Sequence, residues 1–508
     1  MPLTDLPKEI VLDIADHLHY QGVNTLCRTN SRLYRLLNIY LYRRDVTQSE
    51  GSSLLWAAKR ADGELIREST STAQWALDAS RHFDQIPEFY HLALKIAARY
   101  GHARLVELLL KIDDINPNFA EKHLAFAEGF ADDHWDFAEG YENHRSFAKH
   151  LWGFEKDHLG TPPLTLAVKS GHNAIVEMLL ATADIDPNIG DYYNRLPLHH
   201  ACMRRHVSIV KQLLARDDVD VNALGFSLSE TPLLIACDNE WRISDKPGEE
   251  IANLLLNKAG IDVNSTDTEG DTPLMLAAQY GKMSVLKSLL ARNDLDPNML
   301  NPHFGYHVLG CMAYEGHIAT VKLLLGHPHT DLNLVTEPHG HSALMSACRG
   351  GNPGMVKFLL SREGIMINQQ DTDGLTALCH VTEFGYSRAY MNGGHVRAAK
   401  LLDLLLQKDG INPNSRDNNG RTPLARVCLR PIGDTCYYAV TECQIRRCVT
   451  IVRSLLSHRD VDPNAVDNNN VSILADVINK VIPHRTFWYE YGDYGREIES
   501  LLRAAGAS

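Results

Sequence analysis

Short apolar runs recur along this chain in pairs, each pair split by a turn and followed by a polar stretch. Residues 272–298, TPLMLAAQYGKMSVLKSLLARNDLDPN, align one for one with residues 196–222, LPLHHACMRRHVSIVKQLLARDDVDVN. The unit continues through most of the sequence, with anchor leucines at Leu54, Leu94, Leu164, Leu198, Leu233, Leu274, Leu309, Leu344, Leu378, Leu424 and Leu474. Five of the ten intervals between them are 34 or 35 residues and the others are longer by insertions, which marks a repeat array rather than a set of unrelated domains.

Each recurring residue has a mechanical reason. Thr272 and Thr422 suit helix N-caps, and Pro273 and Pro423 suit a first helical position, where a missing N–H costs nothing. Small pairs such as Ala277-Ala278 and Ala57-Ala58 let neighbouring helices approach. Gly101, Gly171, Gly281 and Gly316 supply a turn that favours positive φ, and a second apolar helix then ends in Leu-Leu, as at Leu179-Leu180, Leu359-Leu360 and Leu455-Leu456. The Asp-x-x-Gly runs at 267–270, 371–374 and 417–420 suit tight hairpin tips.

Composition narrows the function classes. A net charge of −13 over 508 residues disfavours the basic surface of a nucleic-acid-binding protein and points instead to a neutral or basic protein partner. No apolar run of membrane-spanning length and no signal-peptide pattern appears, so the expected chain is soluble, without membrane contact, and cytoplasmic or nuclear. Ten cysteines without framework spacing fit a reducing compartment.

Residues 51–508 resemble the ankyrin repeat family, with eleven repeats of which the first and last are degenerate. The resemblance implies an all-α fold, a solenoid of helix-turn-helix repeats with short β-hairpin fingers. It also explains Cys202, Cys237, Cys348 and Cys428, which occupy the second small position of the pair and read as packed small residues rather than nucleophiles. His102, His172 and His317 in the Gly-His turn, and His199 in the Pro-Leu-His start, read as structural.

The N-terminal 46 residues are of another kind. In LPKEIVLDIADHL, residues 6–18, Ile10, Ile14 and Leu18 share one helical stripe, with Leu6 and Pro7 at the helix entry. With Leu26 and the later NSRLYRLL, the segment resembles the F-box, a substrate-receptor module of cullin-RING ubiquitin ligases, and F-box followed by ankyrin repeats resembles a class common in filamentous fungi. The resemblance implies that Leu6, Pro7, Ile10, Ile14, Leu18 and Leu26 dock on a Skp-type adaptor that bridges to the cullin, while the repeats hold an unknown target protein; outside that complex the chain would be a monomer. The alternative is an ankyrin scaffold or inhibitor in which these helices only cap the array.

Target-binding candidates follow from exposure and residue type. Tyr192, Tyr193 and Arg195 occupy one hairpin tip. Insertions near 238–250, 384–394, 430–447 and 482–495 lengthen the turn between first and second helices and carry Trp241, Tyr386, Tyr390, Tyr437, Tyr438, Trp488, Tyr489 and Tyr491, residue types that dominate binding hot spots. These aromatics either bind a partner or fold back to bury the insertions themselves. A further insertion at 119–156 extends the finger edge as a helical excursion or flap. Its histidines, His123, His134, His144 and His150, lack paired metal-ligand spacing, as do Cys428, Cys436, Cys443 and Cys448, so no metal and no cofactor is expected. The sequence contains no Gly-x-Ser-x-Gly elbow, phosphate-binding Gly-rich loop or His-Glu-x-x-His motif, which points to a chain without catalysis.

Overall fold

The computed structural model describes residues 87–112, 115–120, 160–191, 193–225, 230–238, 245–335, 338, 340–383, 394–429, 442–481 and 491–507. The chain divides into two compact units, Met1–Ile261 and Asp262–Ser508. The expected adaptor-docking residues Leu6, Pro7, Ile10, Ile14, Leu18 and Leu26, and most of the 119–156 insertion, lie outside the described residues.

In the first unit, helices pair as α1 (Pro87–Tyr100) with α2 (Ala103–Leu109), α3 (Pro163–Ser170) with α4 (Asn173–Leu180), α5 (Pro197–Arg204) with α6 (Val207–Leu214), and α7 (Pro232–Cys237) with α8 (Lys246–Leu256). In the second unit, the pairs are α9 (Pro273–Gln279) and α10 (Met283–Leu290), α11 (Val308–Glu315) and α12 (Ile318–Leu324), α13 (Ala343–Arg349) and α14 (Pro353–Leu360), α15 (Ala377–Glu383) and α16 (Gly394–Leu406), and α17 (Pro423–Leu429) and α18 (Glu442–Leu456). A last pair joins α19 (Ile473–Asp476), which runs on into a wider turn at Val477–Val481, with α20 (Tyr491–Ala504). Within each unit, first helices pack on first helices of the next repeat and second helices on second helices.

The anchor leucines form the spine of these stacks. From Leu94 to Leu474, every one in the described residues is buried, none more than 4% exposed. Burying such a side chain contributes about 1.5–3 kcal/mol. First helices start as the sequence predicts: the Thr272 hydroxyl accepts from Met275 N at 3.2 Å and Thr422 from Ala425 N at 3.3 Å, each followed by proline. The small-pair cysteines Cys202, Cys237, Cys348 and Cys428 are fully buried, and burial pushes the Cys202 thiol up to about 12, so it stays protonated and unreactive.

One turn departs from the glycine rule. Arg205 holds a left-handed φ of 61° where α3 and α11 end in glycine. Its guanidinium donates to the carbonyls of Cys202, Ile235 and Asp238 and pairs with Asp245 at 2.8 Å, and these bonds offset the backbone strain. His172 links repeats differently, donating Nε2–H to the Arg99 carbonyl at 3.0 Å.

Two features differ from expectation. The fingers are not strand ladders: among the described residues only isolated bridges occur, Leu300 with His307 and Val466 with Ser472. The tips close in single tight turns instead, because side chains take the N–H groups that a strand partner would have used. Secondly, the C-terminal parts of the intervals at 238–250, 384–394, 430–447 and 482–495 are helix rather than turn. They form the first residues of α8, α16, α18 and α20, which run to 11, 13, 15 and 14 residues against 7 or 8 elsewhere in the second helices.

An asparagine ladder ties repeats together beside the helices. In the first unit, Asn118, Asn188 and Asn222 donate Nδ2–H to the carbonyls of Asp184, Asp218 and Gly260 of the following repeat at 2.6–2.7 Å. The same side chains accept back, from Asp186 N to Asn118 and from Asp220 N to Asn188, both at 2.8 Å. The second unit repeats the device at Asn264, Asn298, Asn333, Asn368 and Asn414. An amide suits this place because it offers an N–H donor and a carbonyl acceptor on two separate atoms, so it can meet a carbonyl and an N–H of the next repeat at once.

Candidate binding surface at the finger tips

Each regular finger is built on one aspartate. Oδ1 of Asp191 accepts the backbone N–H of Tyr193 and of Arg195, both at 3.0 Å. Asp267, Asp371, Asp417 and Asp467 repeat the arrangement with the residues two and four positions on. The third residue after the aspartate is then left-handed: Asn194, Gly270, Gly374, Gly420 and Asn470 have φ between 54° and 82°.

The second carboxylate oxygen reaches into the repeat. It meets the residue nine positions on: His200 Nε2–H at 2.9 Å for Asp191, His380 Nε2–H at 2.8 Å for Asp371, and the Arg426 guanidinium at 2.5 Å for Asp417. Lys169 of the preceding repeat adds an ion pair to Asp191 at 3.0 Å. Burial alone would raise the Asp191 carboxyl, but the hydrogen bonds from His200, Lys169 and Arg195 N outweigh it and hold the group well below the usual carboxylate range. Asp371 is lowered in the same way, burial opposing and the His380 and Leu375 hydrogen bonds prevailing. The control is Asp267, whose residue nine positions on is Leu276: there burial prevails and the carboxyl is raised.

His199, read as structural, is so placed: its Nδ1 accepts from Leu196 N at 3.1 Å and its Nε2–H donates to Ala223 O at 2.9 Å in the next finger. Burial is the main cause that lowers its pKa, leaving the ring neutral near pH 7.

On this frame the first unit exposes Tyr193, Met203 and Leu224, and the second exposes Phe304, Leu300 and Tyr314. Tyr193 sits at its tip with the Arg195 guanidinium 5.9 Å from the ring centroid, so these two candidates share one patch. Phe304 is 58% exposed and stacks on Tyr306 at 5.9 Å, whose hydroxyl donates to Asp271 at 3.0 Å. Phe304 is not among the residues picked from the sequence; its place in the finger slot before the anchor Leu309 was the available signal. Tyr192, Trp241, Tyr386, Tyr390, Tyr437, Tyr438, Trp488 and Tyr489 lie outside the described residues, and of Tyr491 only the backbone is described, at the start of α20. No helix among the described residues is long and apolar enough to cross a membrane.

Comparison with known proteins agrees with this architecture. The family model for ankyrin repeats matches residues 137–225, 218–301, 241–334 and 309–390, together half of the chain. The ankyrin repeat and KH domain-containing protein mask-1 of Caenorhabditis elegans is 35% identical over 99 residues, 19% of this chain but only 3% of that protein. The ankyrin repeat protein YahD of Escherichia coli strain K12 is 29% identical over 152 residues, 29% of this chain and 68% of its own length. The crystal structure of EF0377, an ankyrin repeat protein, is 26% identical and covers 42% of this chain and 97% of its own, with a TM-score of 0.35.

Proposed function

This chain belongs to the ankyrin repeat family, and on that premise we propose that it is the substrate-recognition subunit of a cullin-RING ubiquitin ligase. Repeats of this family mean binding to protein partners. The finer reading rests on one observation, the LPKEIVLDIADHL segment with Leu26 and NSRLYRLL, which resembles the F-box. Leu6, Pro7, Ile10, Ile14, Leu18 and Leu26 would hold a Skp-type adaptor, and the finger tips and first helices would hold the target. Such a receptor performs no chemistry. It raises the effective concentration of the target beside the charged conjugating enzyme.

The exposed Tyr193 with the half-buried Arg195 beside it in the first unit, and the exposed Phe304 and Tyr314 of the second, support the target-binding half of the proposal. Large aromatic and arginine side chains on a rigid frame lose little conformational freedom on binding and bury much area. A scaffold or inhibitor with an N-terminal helical cap is the competing reading.

A pull-down with recombinant Skp-type adaptor separates the two. The intact chain should capture the adaptor, and a folded variant carrying Leu6→Ala, Pro7→Ala and Ile10→Ala should not. Failure of the intact chain to capture it would leave the scaffold reading standing.

A further inference from the structure

The aspartate nodes of the two units differ in one partner. At Asp191, the inner carboxylate oxygen is shared by an imidazole, His200, and an ammonium, Lys169. At Asp371, the same oxygen faces two imidazoles: His380 Nε2 at 2.8 Å and His341 Nε2 at 3.7 Å. Among the described residues no lysine or arginine is paired with Asp371. Arg349 stands in α13 at the position that Lys169 holds in α3, five residues after the anchor leucine. Its Nη1 nevertheless lies 2.7 Å from both ring nitrogens of His341 rather than on the carboxylate.

We propose that His341, Asp371 and His380 form a binding site for one divalent transition-metal ion, zinc being the natural choice for two imidazoles and a carboxylate. The donor atoms come from three separate elements, the finger before α13, the next finger tip and α15, and all lie within 4.8 Å of one another. The rings are 5.0 Å apart and close to perpendicular, at 80°, so both can face one point without stacking. Zinc bonds to nitrogen and oxygen of about 2.0–2.2 Å need donor atoms roughly 3–3.5 Å apart. Asp371 and His380 already meet that spacing approximately, and His341 must move by about an ångström.

That movement is available where it is needed. Asp371 is held by the N–H groups of Asp373 and Leu375 on Oδ1 and is 1% exposed at its side chain; His380 is 3% exposed, and His341, the one donor open to solvent, 22%. Two buried donors and one donor on the solvent side make a site that an ion can enter from solvent. Arg349 is the side chain the ion displaces, since a guanidinium and a metal cannot share His341. Bound metal would clamp two successive fingers, stiffening this part of the surface. Three protein ligands leave a coordination position for water.

The test uses the full chain, freed of metal by chelator, titrated with zinc and separately with cobalt(II), whose visible spectrum reports nitrogen and oxygen ligation. The intact chain should take up one tight equivalent that is absent from His341→Ala and from His341→Lys, the latter rebuilding the lysine-closed node of the first unit. Arg349→Gln should tighten that equivalent several-fold by removing the competing cation. Variants with unchanged circular dichroism that retain the same tightest equivalent and cobalt spectrum would overturn the assignment.

Discussion

Asp191 and Asp371 show how one repeat frame supports two chemistries. Both carboxylates tie down a finger through Oδ1, and both hold an imidazole nine residues on. The difference lies in what closes the node from the preceding repeat: the Lys169 ammonium in the first unit, the His341 ring in the second. An ammonium in that place makes the first node a finished structural element. A second imidazole gives the other node a group that can ligate a metal.

Removing the carboxylate tests the comparison most severely. Asp191→Ala and Asp371→Ala each release two backbone N–H groups and a buried hydrogen-bonded partner, and each should cost about 3–5 kcal/mol. The loss at Asp191 should be the larger, because it also strands Lys169. Urea unfolding followed by circular dichroism would read both, and equal losses would erase the distinction between the nodes.

Acid provides the second test. Both carboxyls titrate lower in the folded chain than in the unfolded one, so the folded form binds fewer protons at low pH. Their contribution is complete above the ordinary carboxyl range, near pH 4, and is lost as pH falls through the depressed folded values. His200 is also lowered, chiefly by burial, so its contribution starts to decline earlier, as pH falls below about 6.5. The urea midpoint should therefore fall on going from pH 7 to pH 5 and more steeply below pH 4. An Asp191→Asn variant should flatten the lower part of that curve.

The smallest effect on folding, and the most informative about binding, is expected at the tip itself. Tyr193→Ala removes an exposed ring and should change stability by less than about 0.5 kcal/mol. If the finger tips bind the target, capture of a trapped partner should nonetheless fall at least about tenfold, as for a binding hot spot. Unchanged capture would move attention to Phe304 and Tyr314.

Much of the fold is legible in the sequence because its determinants are local and recur. Thr272 caps, Pro273 opens, Leu274 anchors, and Ala277-Ala278 admits the neighbour; each acts within a few residues, so spacing reveals it. The ladder asparagines recur as regularly, yet their work needs the carbonyl of the next repeat, which no local pattern displays. The His341, Asp371 and His380 cluster is harder still to see. Asp371 and His380 are related by position within one repeat, but His341 joins them only through stacking. The fingers differed from hairpins because one side chain, the aspartate, supplies the acceptors that a second strand would have provided.

The asparagine ladder has a consequence for the history of such a chain. Asn118, Asn188, Asn264, Asn298, Asn333, Asn368 and Asn414 each present the same amide to the same pair of backbone groups of the following repeat. A deletion running from just after Asn188 to just after Asn222 would bring Asn188 to the Gly260 carbonyl that Asn222 now holds, with no rung left unmatched. Duplication of the same interval would be equally silent at the joints. The gene can therefore lengthen or shorten by whole repeats without inventing a new interface, and recombination between copies becomes a source of new surfaces on an old frame.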